Sequence, residues 1–310
     1  MKFLVTGGAG FIGSHIVEDL AVKGNDVVIL DNLATGSMDN ISSFLNGDRV
    51  TFIKGSVTDY SLLLDVCRDI DGVFHEAAIP SVPRSLKDPR ASNEVNISGT
   101  LNVLLAARET GITKVVYASS SSVYGNTPVL PKEEFMMPSP KSPYAVTKLT
   151  GEYYCRVFSD IYNIETVALR YFNVFGPRQD PKSEYSAVIP KFITRLLNNE
   201  SPVIYGNGDQ TRDFTYVKDV VQANVKSMNS HAQGIFNVAY GSRIGLNDLA
   251  RMIEEIIGVS QEIRYEEPRQ GDVRDSLADI SAAKKAFNYQ PEYTLKKGLM
   301  ETIQWYQERR

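Results

Sequence analysis

The sequence predicts an α/β fold, a doubly wound parallel sheet with a smaller C-terminal α/β lobe. Three observations carry this. Short apolar, β-branched runs alternate with helix-period stretches through roughly the first 170 residues. The runs are continuous rather than alternating in polarity, as strands covered on both faces should be. A glycine-rich turn at 6–13 joins the first run directly to the first helix.

The first strand is read at 3–5, and the helix after the turn places Ile12, Ile16, Val17, Leu20 and Ala21 on one face. Further strands are read at 27–30, 50–53, 73–75, 115–118 and 166–169. Ahead of the fifth run, Leu101, Val103, Leu104 and Ala107 belong to a helix that Gly111 ends. After Asn173 the rhythm breaks. Gly176, Pro177, Asp180 and Pro181 spell a loop, followed by a helix-like 189–198 and short strand-like pieces. This divides the chain into a sheet domain at 1–173 and, at 174–310, mainly a second lobe, from which the apolar segment 234–239 can return to the first sheet. No internal repeat is present.

Composition removes several classes. With 33 Lys+Arg against 37 Asp+Glu the net charge is −4 and is not blocked into a tail, whereas a nucleic-acid or anionic-membrane protein is expected to show a basic face. The apolar run after Lys2 is too short for a signal peptide or a membrane span. Cys67 and Cys155 form no CxxC pair, and His15, His75 and His231 lie in no HExxH or His/Cys cluster. No metal, no nucleic acid and no membrane is therefore expected, and a reducing, cytoplasmic setting is the default.

The turn at 6–13 reads TGGAGFIG. Gly7 and Gly10 would let the backbone turn sharply and approach a pyrophosphate, whose charge a helix N-terminus favours, and Gly13 would permit close helix–sheet packing. An ordinary tight turn is the plain alternative. Asp31 at the end of the second strand, 24 residues after Gly7, argues for the dinucleotide, since a carboxylate there takes both hydroxyls of an adenosine ribose. Asn32 follows with no arginine nearby, which favours NAD over NADP and makes 1–173 a Rossmann-type NAD-binding domain.

Tyr144 and Lys148 stand one helical turn apart, on a helix that Ser142 can cap and Pro143 can start. With 16 Tyr and as many Lys in 310 residues, about one YxxxK match arises by chance, and a second does occur at Tyr293 and Lys297. Context separates them. The first pair follows Ser120, at the end of a strand, in a chain with a nucleotide turn, and the second has neither companion. An adjacent ammonium and an oxidised nicotinamide would both stabilise the phenolate of Tyr144, whose ordinary pKa near 10 is otherwise too high for a base at neutral pH.

With these motifs the chain resembles the extended short-chain dehydrogenase/reductases of the nucleotide-sugar 4-epimerase branch. The likeness spans essentially the whole chain, through TGGAGFIG, Asp31-Asn32, HEAA at 75–78, Asn96, SSSSVYG at 119–125, YAVTK at 144–148, RYFNVFGP at 170–177, RDFTYVKD at 212–219 and RQGDVRDS at 269–276. It implies that Gly7, Gly10, Phe11, Ile12, Gly13, Asp31, Asn32, Ser56, Val57, Ala77, Ala78 and Asn96 line NAD, together with Tyr144 and Lys148. It implies Ser120, Tyr144 and Lys148 as the catalytic set, with Ser120 bonding the reacting hydroxyl. Asn173, Arg212 and Arg269 would grip the diphosphate of a UDP-sugar and Asp272 its uridine ribose, while Pro80, Ser121, Ser122, Ala187, Val188 and Ser276 would line the sugar pocket. The arginines also make physical sense alone, since guanidinium neutralises a phosphate bidentately.

The reaction implied is net redox-neutral. Tyr144 takes the proton of the sugar 4-hydroxyl, hydride passes to NAD, the keto sugar swings about its diphosphate, and hydride returns to the other face. UDP-glucose/UDP-galactose and, through the small Ser276, Pro80 and Ala187, their N-acetylated counterparts are the expected substrates. UDP-glucuronate is the alternative, because Arg84 could meet a carboxylate. Dehydratases of the family carry acids where Ser121 and Ser122 stand, and a non-catalytic dinucleotide sensor would be expected to lose Tyr144 or Lys148. The resemblance also implies a homodimer that pairs helices around 98–107 and 145–158. There Leu101, Leu105, Leu149 and Tyr153 either face the partner or pack inward.

Overall fold

The computed structural model describes residues 1–181, 187–268 and 274–309. Strands β1 (Lys2–Thr6), β2 (Asp26–Asp31) and β3 (Val50–Lys54) are joined by helix α1 (Phe11–Val22) and the segment after β2. Helix α2 (Tyr60–Val66), β4 (Gly72–His75), α3 (Val82–Lys87) and α4 (Pro89–Asn93) follow, then a π-helical turn at Glu94–Ser98 that runs into α5 (Gly99–Thr110). Strand β5 (Lys114–Ser120), the long α6 (Pro143–Tyr162) and β6 (Glu165–Tyr171) complete the first half.

The second half contributes β7 (Val174–Phe175), α7 (Val188–Leu197), β8 (Val203–Tyr205), β9 (Thr211–Arg212), β10 (Thr215–Tyr216) and α8 (Val217–Met228). It ends with β11 (Gly234–Val238), β12 (Ile244–Gly245), α9 (Leu246–Ile257), β13 (Arg264–Glu266), α10 (Ser281–Phe287) and α11 (Leu295–Glu308).

Seven strands form one all-parallel sheet in the order β11-β6-β5-β4-β1-β2-β3. The order reverses between β1 and β4, and a crevice opens beyond the carboxyl ends of strands at such a point. The glycine turn leaves β1 there, and residues 76–78 leave β4 there. One face of the sheet packs Ile16, Val17 and Leu20 of α1 with Val220, Val221 and Ala223 of α8. The other packs Leu63 of α2, Val103 and Leu104 of α5 and Phe158 of α6. Covered on both sides, the strands need no polar alternation.

Strand β11 pairs in parallel with β6, from Gly234 beside Val167 to Val238 beside Tyr171. Helices α8 and α10 join it on the sheet, because Val220, Val221, Ala283 and Phe287 are buried in the same core. The chain therefore crosses between lobes more often than one return at 234–239. The smaller lobe has its own core, with Phe192 and Ile193 of α7, Leu249 and Ile253 of α9, and Leu299 and Ile303 of α11.

Helix α6 begins as its sequence dictates, with Pro143 in the first turn and the Ser142 hydroxyl accepting from the Ala145 amide at 3.2 Å. Gly151 lets it lie close on the sheet. A Cβ there would fall 2.3 Å from the Tyr117 hydroxyl. Among the described residues no helix is long and apolar enough to cross a membrane.

Candidate active site

A cleft of about 1060 Å³ runs along the crevice. At one end lies the glycine turn. Gly7 adopts φ +70° with its amide donating to the Leu30 carbonyl at 2.8 Å, and a Cβ on it would sit 2.7 Å from the Ala77 backbone nitrogen. A Cβ on Gly10 would meet only the Gly7 carbonyl, so its other side is open. Gly7, Gly10, Phe11, Ile12, Gly13, Asp31, Asn32, Ser56, Val57, Ala77 and Ala78 all line the cleft.

Asp31 is held at the end of β2 by two backbone amides, Ala9 on one oxygen at 3.0 Å and Leu33 on the other at 2.7 Å. Each oxygen keeps further acceptor capacity for a diol. Between Asp31 and Asn40 the cleft wall carries no lysine or arginine, and Asp39 adds a second acid. An open glycine, a helix N-terminus and a braced carboxylate followed by a loop that holds an acid and no lysine or arginine fit NAD better than a dinucleotide with a 2′-phosphate. Asn96 stands behind this wall. From the π-helical turn its side chain accepts from the Ile79 amide at 2.7 Å and donates to the Ile79 carbonyl and the Thr147 hydroxyl. It shapes the loop after β4 and does not line the cleft.

At the other end Tyr144 and Lys148 reach in from α6, with Lys148 Nζ 5.9 Å from the Tyr144 ring and donating to the Ala118 carbonyl at 2.8 Å. Burial pushes the Lys148 ammonium down to about 8, against the field of Glu76. Burial pushes the Tyr144 phenol up to about 12, and a hydrogen bond with Ser120 opposes that rise. The structure thus joins the end of β5 to the N-terminal half of α6 through Ser120 and Tyr144. His75, between the Thr6 and Thr100 hydroxyls at 2.7 and 2.9 Å, is pushed by burial down to about 3 and stays neutral.

The second YxxxK pair is placed elsewhere. Lys297 stacks 4.0 Å over the Tyr293 ring, beside Tyr216 and Lys218, and neither residue lines the cleft.

The residues expected to hold a sugar nucleotide are more dispersed. Pro80 and Ala187 line the cleft, with Val188 opening α7 next to Ala187. Ser121 and Ser122 form a 3₁₀ turn after Ser120, and the Ser122 hydroxyl is buried with no hydrogen-bond partner. Asn173 donates its side-chain amide to the Asp213 carbonyl at 3.0 Å and to the Ser276 hydroxyl at 2.9 Å, and neither Asn173 nor Ser276 is among the residues that line the cleft. Arg212 is buried in β9 and donates to the carbonyls of Thr211 and Arg274, both at 2.9 Å. Arg269 and Asp272 lie outside the described residues. Sequence reasoning gave no role to Glu76, Tyr171 or the α11 residues Trp305 and Tyr306, all of which line the cleft. For Glu76 a signal existed, a carboxylate placed directly after an apolar strand.

Fold and cleft together define a class, the extended short-chain dehydrogenase/reductases. Within it the chain belongs to the NAD-dependent epimerase/dehydratase family, whose model matches residues 3–239. It is similar to the UDP-N-acetylglucosamine 4-epimerase of Methanobrevibacter ruminantium, solved with UDP-N-acetylmuramic acid. That likeness has 44% identity and a TM-score of 0.96 over 100% of this chain and 99% of that one. The UDP-glucose 4-epimerase of Mycolicibacterium smegmatis is 38% identical over 311 residues, 99% of this chain and 98% of that protein. The UDP-glucuronic acid 4-epimerase of Bacillus cereus, solved with UDP-glucuronic acid and NAD, is 33% identical with a TM-score of 0.93 over the whole of both chains.

Proposed function

We propose that this protein is a UDP-sugar 4-epimerase, an isomerase that works with NAD. The observation that carries the reading is that Tyr144, hydrogen-bonded to Ser120, and Lys148 line the same cleft as the glycine turn and Asp31. Bound NAD would supply reversible oxidation at sugar carbon 4. Gly7, Gly10 and the start of α1 would hold its diphosphate, and Asp31 its adenosine ribose. Ser120 orients the sugar 4-hydroxyl toward Tyr144, which takes its proton and returns it to the same oxygen once the keto sugar has turned its other face to the cofactor. Lys148 supports the phenolate electrostatically. Ser121 and Ser122 offer no acid for elimination, which separates this chemistry from dehydration.

The substrate range we propose is UDP-glucose with UDP-galactose and, in addition, their N-acetylated forms. Ser276 supports this. Its hydroxyl is tied to the Asn173 side-chain amide and to the Asp213 backbone amide at 3.2 Å, so the side chain at this position is small and fixed, although it is not itself one of the residues that line the cleft. The N-acetylglucosamine-acting structural neighbour supports it too. A second reading, UDP-glucuronate, is favoured by Arg84, which lines the cleft near Pro80.

One experiment tests these readings. The purified protein, with no dinucleotide added, is given each UDP-sugar separately and the products are resolved by mass spectrometry and chromatography. Conversion of the hexose and acetamido-hexose pairs is expected. Turnover of UDP-glucuronate alone would select the second reading, and no turnover of any sugar would remove both.

A homodimer is part of the proposal. Along the outer face of α6, Val146, Tyr153, Val157 and Ile161 are exposed at helical spacing. Leu101, Leu105 and Leu149 instead pack against the chain's own core. Sedimentation at micromolar concentration that gives a monomer mass would exclude the dimer.

A further inference from the structure

One ionisable group in the cleft has no part in the proposed chemistry. Glu76 follows β4, and its carboxylate accepts from the Tyr171 hydroxyl at 2.7 Å. That hydroxyl is fixed in turn by the Asn224 side-chain amide of α8 at 2.8 Å. Glu76 lines the cleft beside Ala118, Tyr144 and Lys148.

We propose that Glu76 is a positioning residue, a carboxylate held by Tyr171 in the floor of the cleft as the counter-charge of Lys148, which sets the pH range over which Tyr144 exchanges its proton. This rests on the epimerase reading for its purpose, though not for the coupling itself.

The groups facing this pair are few. Glu76 shares the cleft lining with Lys148 and Tyr144 of α6, lies in their fields, and is bonded by Tyr171 of β6. Lys148 is also faced by the Tyr117 ring of β5 at 5.1 Å, and lies in the fields of Glu152 and Cys155 on its own helix. The neighbouring His75 is neutral. Two opposite charges in a buried site each preserve the other's ionisation, and a carboxylate opposes a phenolate beside it. Burial pushes the Glu76 carboxyl up to about 7, and the Tyr171 bond and Lys148 hold it from rising further. The site therefore changes charge within the working pH range.

The direction of each effect follows. Neutralising position 76 withdraws support from the Lys148 ammonium and removes the charge that opposes the Tyr144 phenolate. Both groups then lose their protons at lower pH.

Infrared difference titration of the holoenzyme provides a readout independent of turnover. The carboxylic-acid band assigned to Glu76 by its absence in Glu76→Gln should titrate near pH 7 in the parent protein. In Lys148→Met it should move up by about one pH unit or more, because losing a facing positive charge disfavours the ionised carboxyl. An unmoved band overturns the proposal. In the second arm, the kcat/KM profile of Glu76→Gln with UDP-galactose should shift both limbs down by about one pH unit. A lower rate with unmoved limbs would mean that Glu76 only supports Tyr171, and overturns it as well. Should Glu76→Gln fail to fold, the band is assigned instead by its upward move in Tyr171→Phe, which removes the bond that favours the ionised carboxyl; if no band moves up in both Tyr171→Phe and Lys148→Met, the proposal is overturned. The infrared arm holds even in a protein that epimerises nothing, so its failure and that of the functional reading are distinguishable.

Discussion

At the scale of single residues, the two YxxxK pairs give a direct contrast. Tyr144 lines the cleft and is hydrogen-bonded to Ser120, whereas Tyr293 is stacked under Lys297 outside it. Tyr144→Phe should lower kcat by roughly a hundredfold or more, the usual scale of a positioned acid/base, with UDP-sugar binding largely kept. Tyr293→Phe should leave steady-state turnover intact, and equal losses at both would mean that the wrong pair had been chosen. On the proposed reading, substrate breadth turns on Ser276. A ring added by Ser276→Tyr should depress kcat/KM for UDP-N-acetylglucosamine by about 10–200-fold while sparing UDP-galactose, the range that steric exclusion in a pocket provides. Equal kcat/KM losses for both sugars would show that position 276 does not read the acetamido group. The sequence made Tyr144, Lys148, Ser120 and Asp31 legible because their chemistry is tied to short spacings and strand ends. It could not show that Asn96 braces a loop, or that Asn173 spends its amide on Ser276, because those partners are 17 and 103 positions away in the chain.

At the scale of elements, the long helix is fixed to the sheet by one buried cluster. Glu152 of α6 accepts two bonds from Arg170 of β6, at 2.7 and 2.8 Å, and one from the Ser119 hydroxyl of β5. Both members of the ion pair are essentially inaccessible, and the guanidinium also lies 4.6 Å over the Tyr124 ring. Such a pair holds its geometry because both carboxylate oxygens and all three guanidinium nitrogens have partners, and removing one partner strands a buried charge. Glu152→Ala should therefore cost about 3–5 kcal/mol in urea unfolding, with the slope of the transition unchanged. A loss below about 1 kcal/mol would place the pair among weak surface bridges. The same elements show what patterning conveys. Continuous apolar runs announced the buried parallel strands, and Ser142-Pro143 announced the start of α6. Patterning could not assign α8 and α10 to the first lobe, since an amphipathic helix states which face is buried and not which sheet covers it.

At the scale of the whole molecule, stability toward acid is a contest between two sets of buried groups. Burial pushes His15 and His75 each down to about 3. As pH falls through their ordinary value near 6.5, the unfolded chain takes up two protons that the native chain refuses, and stability is lost down to about pH 3. Glu76, Asp213 and Asp219 act in the opposite sense. Burial pushes them up to about 7, 6 and 6, so the native chain takes their protons first and gains stability until the unfolded carboxyls titrate near pH 4. Between about pH 6.5 and 4.5 the two contributions offset. Below about 4 the histidines are no longer opposed and are joined by Glu165, Asp275 and Asp279, whose carboxyls Lys114, Thr211 and Ser281 hold below their ordinary values and whose contribution is lost as they protonate. The expected Tm profile is therefore nearly flat from pH 6.5 to 4.5 and falls steeply below 4. Asp213→Asn removes one of the compensating protons, so its decline should begin at higher pH than the parent's. Calorimetry at fixed ionic strength and fixed NAD decides the matter, because a steady fall in Tm from pH 6.5 downward in the parent protein would show that the carboxyl uptake does not balance the histidines.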